Sequence, residues 1–474
     1  MHTRGGPISA ARPPNVSVTL LAASIRYVTD VPYIANFTPE LAPACLDLVA
    51  VINGFRPPRH GGVFTWCELG CGMGLAPIIF AATHPEGVFH GVDAISTHIT
   101  RAREIAAKAE IPSLTFHALD FAAASDLALP KFDYIVAHGV YAWIDAPAAE
   151  SFRRFIDRHL APGGLVYVSY NSMPGWAADA PFQHLAYAMA AREQGNSIER
   201  FTAVAPTLQA LHKAGAATLI ASPVASDLKE RVAKHPAAYF AHEYLAPAWH
   251  PLYVDEVRKA MAEIGLAPIG SATFRDNFDG FVLRQAARDA IATIADADLR
   301  ELTRDYFLHQ RFRRDVYGRM PERIDDDVRN AALLDTHFAL KRPASLTEFF
   351  MDTEAGHVAF DNPVARRIVS TLAEGARPLA ECGIPGGSDQ DLIANGLALC
   401  AAVMIIPVSA GRADVRRVNA ALFESTDAQS ETAFHVLPYG TSLRLDNAIL
   451  TAFIGGGPVT EQQQPWVDFI KTLG

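Results

Sequence analysis

The feature that most constrains the fold of this chain is a run of glycines between an apolar segment and a helical pattern. The motif Glu68-Leu69-Gly70-Cys71-Gly72-Met73-Gly74 ends the apolar run 63–69, and the helical pattern begins at Leu75. Glycine permits backbone conformations closed to other residues and lets a ligand approach the main chain. The third glycine comes one position earlier than in the dinucleotide fingerprint GxGxxG. This spacing argues against a nicotinamide dehydrogenase, and a glycine loop alone is also typical of a plain turn.

Strands and helices alternate on both sides of the glycine loop. Strands are expected over residues 63–69, 87–92, 114–118, 132–137 and 165–170, and helices over 75–83, 96–110 and 148–160, the last stopped by Pro162-Gly163-Gly164. Such alternation predicts a parallel sheet with helices on both faces, a Rossmann-like doubly wound α/β fold. Ligands of these sheets bind beyond the carboxyl ends of the strands.

The rest of the chain predicts an inserted segment and further domains. Residues 1–176 are expected to hold an N-terminal segment and the ligand-binding core, and residues 177–240 an inserted helical subdomain. Residues 241–285 complete the core with a helix at 253–264 and strands at 267–274 and 280–283. A helical middle domain is expected over 286–360. The C-terminal domain, 361–474, has helices at 363–372 and 391–406 and is small and helical or winged-helix-like.

The charge balance argues against nucleic acid as a partner. The formal net charge is −10, and an acidic protein is repelled by the phosphate backbone unless it carries a basic patch. The candidate patch is Arg311, Arg313, Arg314 and Arg319. The ordinary interpretation of such a run is a solvated helix face.

The cysteines and apolar stretches predict a reduced, cytoplasmic protein. Five cysteines occur, without the spacing of metal ligands, so no metal site and no disulfide framework are predicted. The longest apolar stretch, 392–406, is too short to span a bilayer. We also expect no secretory signal at the N-terminus.

Two carboxylates follow neighbouring strands of the expected sheet. Asp93 lies about twenty residues after the loop, where a carboxylate accepts hydrogen bonds from ribose hydroxyls. Asp120 follows the third strand and is placed to accept a hydrogen bond from an adenine amino group, with Phe121 beside the ring. Each carboxylate alone also fits a helix N-cap. The glycine loop and both acids at successive strand ends favour a bound adenosyl group.

These residues resemble the cofactor motifs of class I S-adenosylmethionine (SAM)-dependent methyltransferases. Glu68, the glycines Gly70, Gly72 and Gly74, Asp93 and Asp120 match them in order and spacing, over about residues 60–175. The resemblance implies SAM as the cofactor.

Further motifs are similar to bacterial methyltransferases with a "methyltransferase regulatory domain", a group that includes rickettsial enzymes methylating lysines of outer-membrane proteins. They are Asp30-Val31-Pro32-Tyr33, His138-Gly139-Val140-Tyr141-Ala142-Trp143, Tyr170-Asn171-Ser172-Met173-Pro174-Gly175-Trp176 and His242-Glu243-Tyr244-Leu245. The resemblance implies that Tyr33 and His138 contribute to cofactor binding. It also implies a possible homodimer formed through the inserted segment.

The chemistry of methyl transfer predicts an aromatic site without a metal. In-line positioning supplies about 7–11 kcal/mol of the barrier reduction, and aromatic rings attract the sulfonium. Tyr141 and Trp143 are expected to line the methyl site, with Tyr170 and Trp176 beside it; the alternative for each is core packing. A lysine acceptor must lose a proton, and His138 is the preferred acceptor of that proton, ahead of Tyr141, His242 and Glu243.

Several functions remain open. An amino-group DNA methyltransferase is disfavoured because His138-Gly139-Val140-Tyr141 replaces the Asn/Asp-Pro-Pro-Tyr/Phe signature after the fourth strand. The acceptor is expected to be a protein lysine. The alternatives are a small-molecule O- or N-methyltransferase and a non-catalytic SAM-binding interaction module.

Overall fold

Five parallel strands form the first part of the main sheet in a computed structural model, which describes residues 28, 30–31, 36–58, 62–425, 432–455 and 459–473. The strands are β1 (Thr65–Leu69), β2 (Val88–Asp93), β3 (Leu114–Ala118), β4 (Phe132–Ala137) and β5 (Leu160–Asn171). The helices around them are α1 (Pro43–Ile52), α2 (Leu75–Thr83), α3 (Ser96–Lys108), α4 (Phe121–Ser125) and α5 (Ala146–His159). The predicted doubly wound α/β core is confirmed.

Strands β1, β2, β4 and β5 are largely buried on both faces, as expected of a parallel sheet covered by helices, whereas the edge strand β3 is partly exposed. Trp66, Phe80 and Phe89 pack tightly on one face, with ring centroids 5.4–5.7 Å apart. The fifth strand is longer than expected. Pro162-Gly163-Gly164 lies inside β5 and not in a loop, because Leu160 already pairs with Phe132 of β4.

The predicted inserted segment is helical. It contains α6 (Ala180–Ala190), α7 (Ser197–Lys213), α8 (Ala217–Ile220), α9 (Pro223–Ser226), α10 (Leu228–Lys234) and α11 (Ala237–Leu245). Phe201, Phe240 and Tyr244 stack between α7 and α11 and are buried. This packing returns α11 to the main sheet.

The end of the main sheet differs from the prediction. After α12 (Val254–Ala262), the chain forms the strand β6 (Leu266–Ser271). The helices α13 (Asp279–Val282), α14 (Gln285–Ala292) and α15 (Ala297–Leu308) come next, and the strand β7 (Phe312–Arg319) follows them. The expected strand at 280–283 is wrong, because that short apolar run forms α13. The seventh strand is β7, which pairs antiparallel with both β5 and β6 to complete the order β3-β2-β1-β4-β5-β7-β6. The predicted boundary at residue 285 therefore falls within one sheet.

A buried ion network explains why β7 escaped prediction. The interpretation of Arg311, Arg313, Arg314 and Arg319 as a helix face is wrong, because the last three lie on this strand. Arg313 is 6% exposed and binds the carboxylates of Asp315, Glu301 and Asp305. Tyr170 of β5 donates to Asp315 Oδ2 at 2.7 Å. The paired charges are buried, so the strand lacks an apolar sequence pattern.

The C-terminal part combines helices with small sheets. Its elements are α16 (Asp326–Asp335), β8 (His337–Leu340), β9 (Phe350–Thr353), β10 (Gly356–Ala359), α17 (Pro363–Leu372), β11 (Arg377–Pro378), α18 (Asp389–Ala401), β12 (Ile405–Pro407), α19 (Arg416–Ser425), β13 (Thr432–Leu437), β14 (Thr441–Asp446), α20 (Asn447–Gly455) and α21 (Gln464–Leu473). Because β8 pairs with β11 and β12, one sheet crosses the predicted boundary at residue 360. The expected helix 391–406 ends at Ala401, since β12 follows. No helix within the described ranges is long and apolar enough to cross a bilayer.

Candidate active site

The glycine loop turns sharply between β1 and α2. Gly70, Gly72 and Gly74 have φ angles of 76°, 53° and 75°, a region that other residues rarely adopt. A Cβ atom on Gly70 would lie 2.5 Å from Val140 Cγ2, and one on Gly74 would lie 2.5 Å from Phe116 Cζ. A Cβ atom on Gly72 would meet nothing within 4 Å. Two of the glycines therefore also satisfy tight packing, whereas Gly72 faces open space.

We expect Gly74→Ala to destabilise the fold more than Gly72→Ala. Both variants place a side chain at positive φ, but only the first forces a methyl group into Phe116. Overpacking costs about 1–3 kcal/mol, so the free energies of unfolding should differ by about that amount. Urea unfolding of both variants measures the difference. Equal destabilisation would show that the loop relaxes without disturbing α3 and β3.

The carboxylate of Asp93 ties the end of β2 to this loop. Its Oδ2 accepts from Gly72 N at 2.8 Å, and its Oδ1 accepts from Ile95 N at 2.9 Å. The N-cap of α3 is Ile95, so Asp93 is not the helix cap considered from the sequence. Each oxygen keeps a further lone pair for a ligand.

A cavity of about 350 Å³ opens beside the loop, at the carboxyl ends of β1, β2, β4 and β5. It contains seven of the site residues expected from the sequence: Glu68, Gly70, Gly72, Asp93, Phe121, His138 and Trp143. Gly74, Asp120 and Tyr141 do not line it, and Tyr33 lies outside the described residues. The main part of the expected constellation is therefore assembled around one space.

Two polar atoms that β1 and β5 contribute to the cavity wall are buried without a hydrogen-bond partner among the described residues. They are Glu68 Oε2 and Asn171 Nδ2. Burial, together with the nearby Asp93 carboxylate, raises the pKa of Glu68 to about 8. An orphaned acceptor and an orphaned donor at the tip of a sheet suit a ligand with both cationic and anionic groups. SAM, with its sulfonium, ammonium and carboxylate, fits this description.

His138 lies at the end of β4 and faces the same cavity. Its Nδ1 is 2.9 Å from Tyr167 Oη and 3.2 Å from Ser169 Oγ. Burial, with the guanidinium of Arg314 nearby, lowers the pKa of His138 to about 3. The imidazole is neutral at pH 7 and is a weak proton acceptor, which disfavours the general-base role expected from the sequence.

Other expected aromatic and acidic residues are engaged in packing or capping. Asp120 caps α4 by accepting from Ala123 N at 2.8 Å. Tyr141 packs against Phe152 and accepts from Arg153. Both placements favour the alternatives stated for these residues. Two further aromatics, Tyr170 and Trp176, are also buried away from the cavity and hydrogen-bond Asp315 and the Arg311 carbonyl.

Helix α11 brings His242 and Glu243 from the inserted segment to the cavity. His242 Nε2 lies 3.1 Å from the Val31 carbonyl oxygen. Glu243 is half-buried, and burial raises its pKa to about 7 despite the nearby guanidinium groups of Arg311 and Arg231. The insertion therefore supplies an acid to the wall of the site.

Asn171 and Phe312 also line the cavity but were not singled out from the sequence. Strand side chains alternate between faces, so Asn171 shares a face with Ser169 and Tyr167, whereas Tyr170 points the other way. That alternation was a usable signal for Asn171. Phe312 is opposite Asn171 in the antiparallel register of β7, and its position became evident only once β7 was located.

Comparison with known proteins supports the assignment of this cavity to a SAM-dependent methyltransferase. The family described as "Methyltransferase domain" matches residues 64–209, and "Predicted methyltransferase regulatory domain" matches residues 236–319. The Synechocystis protein sll1526 is 31% identical over 355 residues, covering 75% of this chain and 70% of its own. The Rickettsia prowazekii protein RP028 is 31% identical over 147 residues, which cover 31% of this chain and 58% of RP028.

The fold is also that of a solved methyltransferase. The structure of PKMT2 from Rickettsia typhi in complex with AdoHcy aligns with a TM-score of 0.67 at 16% identity, over 93% of this chain and 97% of that one. The second family match includes β6 and β7, the last two strands of the main sheet. The chain therefore belongs to the class I SAM-dependent methyltransferases that carry a methyltransferase regulatory domain.

Proposed function

We propose that this methyltransferase transfers the methyl group of SAM to a lysine amine of a protein substrate. The observation that carries the proposal is the Glu243 carboxylate, which lines the cavity of the glycine loop and has a pKa near 7. A base with a pKa close to the working pH is well suited to accept a proton from a substrate ammonium. SAM itself supplies the methyl group on a cationic sulfur.

In this proposal the adenosyl end of SAM lies over β1, β2 and β3. Asp93 accepts from the ribose hydroxyls, Phe121 lies beside the adenine, and Gly70 and Gly72 allow close approach to the backbone. Gly74 would hold the loop turn, and Asp120, which caps α4 through Oδ1 and stands outside the cavity lining next to Phe121, would reach the adenine amino group with Oδ2. Tyr33 is proposed to cover the cofactor, as the family resemblance implies.

Replacing Asp93 by Ala is expected to weaken SAM binding. The variant loses the ribose contacts and two backbone hydrogen bonds, and leaving buried polar groups unpaired costs about 1–3 kcal/mol. Calorimetric titration with SAM measures the change in Kd. The exposed Asp126→Ala is the control, and an unchanged Kd for Asp93→Ala would contradict the assignment of the cofactor site.

The acceptor end of the cavity is proposed to lie between Trp143, Phe312 and Glu243. Apolar rings desolvate an amine and thereby favour its neutral, nucleophilic form. Among the described lining residues are three acids, Glu68, Asp93 and Glu243, and neither Lys nor Arg. The ionised form of Glu243 attracts a cationic side chain, which supports lysine as the acceptor. The fold shared with R. typhi PKMT2 supports the same choice.

Transfer of tritiated methyl groups from SAM to proteins of a cell extract tests the proposal. We expect label in protein and, after acid hydrolysis, in methylated lysine. An extract whose lysines have been chemically blocked is the control and should accept no label. Label in another amino acid or in no protein would contradict the proposal.

A small-molecule acceptor is the second candidate, and the concave, largely apolar cavity of about 350 Å³ favours it. Label extracted into an organic phase would identify this reaction. A SAM-binding module without turnover would transfer no label at all.

A homodimer through the inserted helices and a cytoplasmic location remain predictions. Size-exclusion chromatography of the full chain tests the first, and cell fractionation tests the second.

A further inference from the structure

The hydrogen bonds around His138 determine which ring nitrogen carries its proton. Gly139 N donates to Ser169 Oγ at 2.8 Å, and the positively charged guanidinium of Arg314 lies near Tyr167 Oη. The Ser169 oxygen therefore already accepts a hydrogen bond, and the Tyr167 oxygen has a cation nearby. Each hydroxyl must donate its proton either to Nδ1 of His138 or to the oxygen of the other hydroxyl. Neither hydroxyl has another acceptor within the described ranges.

Only one protonation state of the ring satisfies every donor in this group. If Nδ1 accepts, one hydroxyl donates to it and the other hydroxyl donates to the first. If Nδ1 carried a proton, three donors would share two oxygens, and one hydroxyl proton would be buried without an acceptor. Burying such a group costs free energy, so Nδ1 is the acceptor. The neutral ring must then carry its proton on Nε2.

The proton on Nε2 needs an acceptor in the cavity. His138 lines that space, and no residue in the described part of the chain accepts from Nε2. Donation to the lone pair that attacks the methyl group would weaken any nucleophile. When SAM occupies the cavity, the remaining source of an acceptor is the cofactor.

The carboxylate of SAM needs hydrogen-bond donors, and the orphaned Asn171 Nδ2 in the cavity wall is only one such group. The described lining contains no Lys or Arg that would neutralise the carboxylate. Ribose contacts at β2 put the methionine end of SAM toward β4, two strand spacings or about 10 Å away. His138 follows β4 at that distance.

We propose that Tyr167 and Ser169 hold His138 in the Nε2–H form, and that this N–H binds the carboxylate of SAM. The inference rests on SAM as the methyl donor and not on the lysine acceptor. Tyr167 and Ser169 are positioning residues. Burial, and to a smaller extent the Arg314 guanidinium on β7, lower the pKa of His138 and so keep the ring neutral.

The affinities of His138→Leu and His138→Gln for two cofactors test the proposal. Decarboxylated SAM keeps the sulfonium and lacks the carboxylate. Calorimetry should show that His138→Leu binds SAM roughly 10- to 100-fold more weakly but binds decarboxylated SAM as the unaltered protein does. His138→Gln, whose amide N–H replaces Nε2–H, should retain most of the SAM affinity. Equal losses for both cofactors, or no loss for His138→Leu, would overturn the proposal.

The nitrogen-15 NMR signals of the His138 ring provide a readout independent of binding. They are assigned by their loss in His138→Gln, and we expect a protonated Nε2 and an unprotonated Nδ1. Tyr167→Phe should shift the Nδ1 signal and weaken SAM binding in the same direction as His138→Leu. A protonated Nδ1 in the unaltered protein would overturn the proposal. If the unaltered protein bound no SAM, the cofactor assignment itself would be at fault.

Discussion

Glu243→Gln is expected to lower kcat by about 100- to 10,000-fold, the range typical of losing a general base. The amide keeps the size of the side chain but cannot accept the proton of a lysine ammonium. The Kd for SAM should remain within about twofold, because Glu243 lies on α11 and belongs neither to the glycine loop nor to β2. Single-turnover transfer and SAM titration separate these two quantities.

The pH dependence of this reaction has a definite sign. Burial raises the pKa of Glu243 to about 7, and only the ionised carboxylate acts as a base. Activity should therefore rise from pH 6 to pH 8 and then level off, and the Gln variant should lose this step. The exposed Glu263→Gln is a matched control and should keep the profile. A Gln variant with normal kcat would remove Glu243 from the mechanism.

Arg313→Met is expected to reduce the free energy of unfolding by about 3–5 kcal/mol, because it leaves buried carboxylates without their counter-ion. Asp315, Glu301 and Asp305 all bind this guanidinium. Burial already raises the pKa of Asp305 to about 7, so the loss of Arg313 should favour its protonated form further. Methionine preserves much of the apolar volume, so the effect reports the charge.

Urea unfolding near neutral pH measures this loss. The control is Arg366→Met, which removes an exposed ion pair with Asp361 and should change stability little. Destabilisation of Arg313→Met should also shrink in acid, where the orphaned carboxylates become protonated. Equal stability of both variants would show that the network around β7 contributes no net free energy.

The parts of the fold predicted from the sequence are those defined by local patterns. β1 to β5 are short apolar runs separated by turns, and Asp93 ends one of them at the spacing expected of a nucleotide site. β7 depends on pairing with β5 across about 145 residues of chain, and its buried charges conceal it. Long-range pairing of this kind leaves no signal in a local window.

The candidate site shows the same division. Trp143 and Tyr141 lie in one short turn after β4, yet Trp143 lines the cavity and Tyr141 packs against Phe152. The sequence spacing of these two residues could not show which one lines the cavity and which one packs in the core, because a turn of this kind points neighbouring side chains in different directions. Glu243 reaches the cavity only because the inserted helices fold back onto the sheet, which depends on packing between distant elements.

The antiparallel position of β7 between β5 and β6 limits how this enzyme can be divided. A chain that stopped before residue 312 would lose β7, the strand that pairs with one edge of β5. The exposed row of amide and carbonyl groups would then be a template for self-association. The segment that bears the name of a regulatory domain is thus also a structural edge of the catalytic sheet, and removing it would yield an aggregating fragment and not a deregulated enzyme.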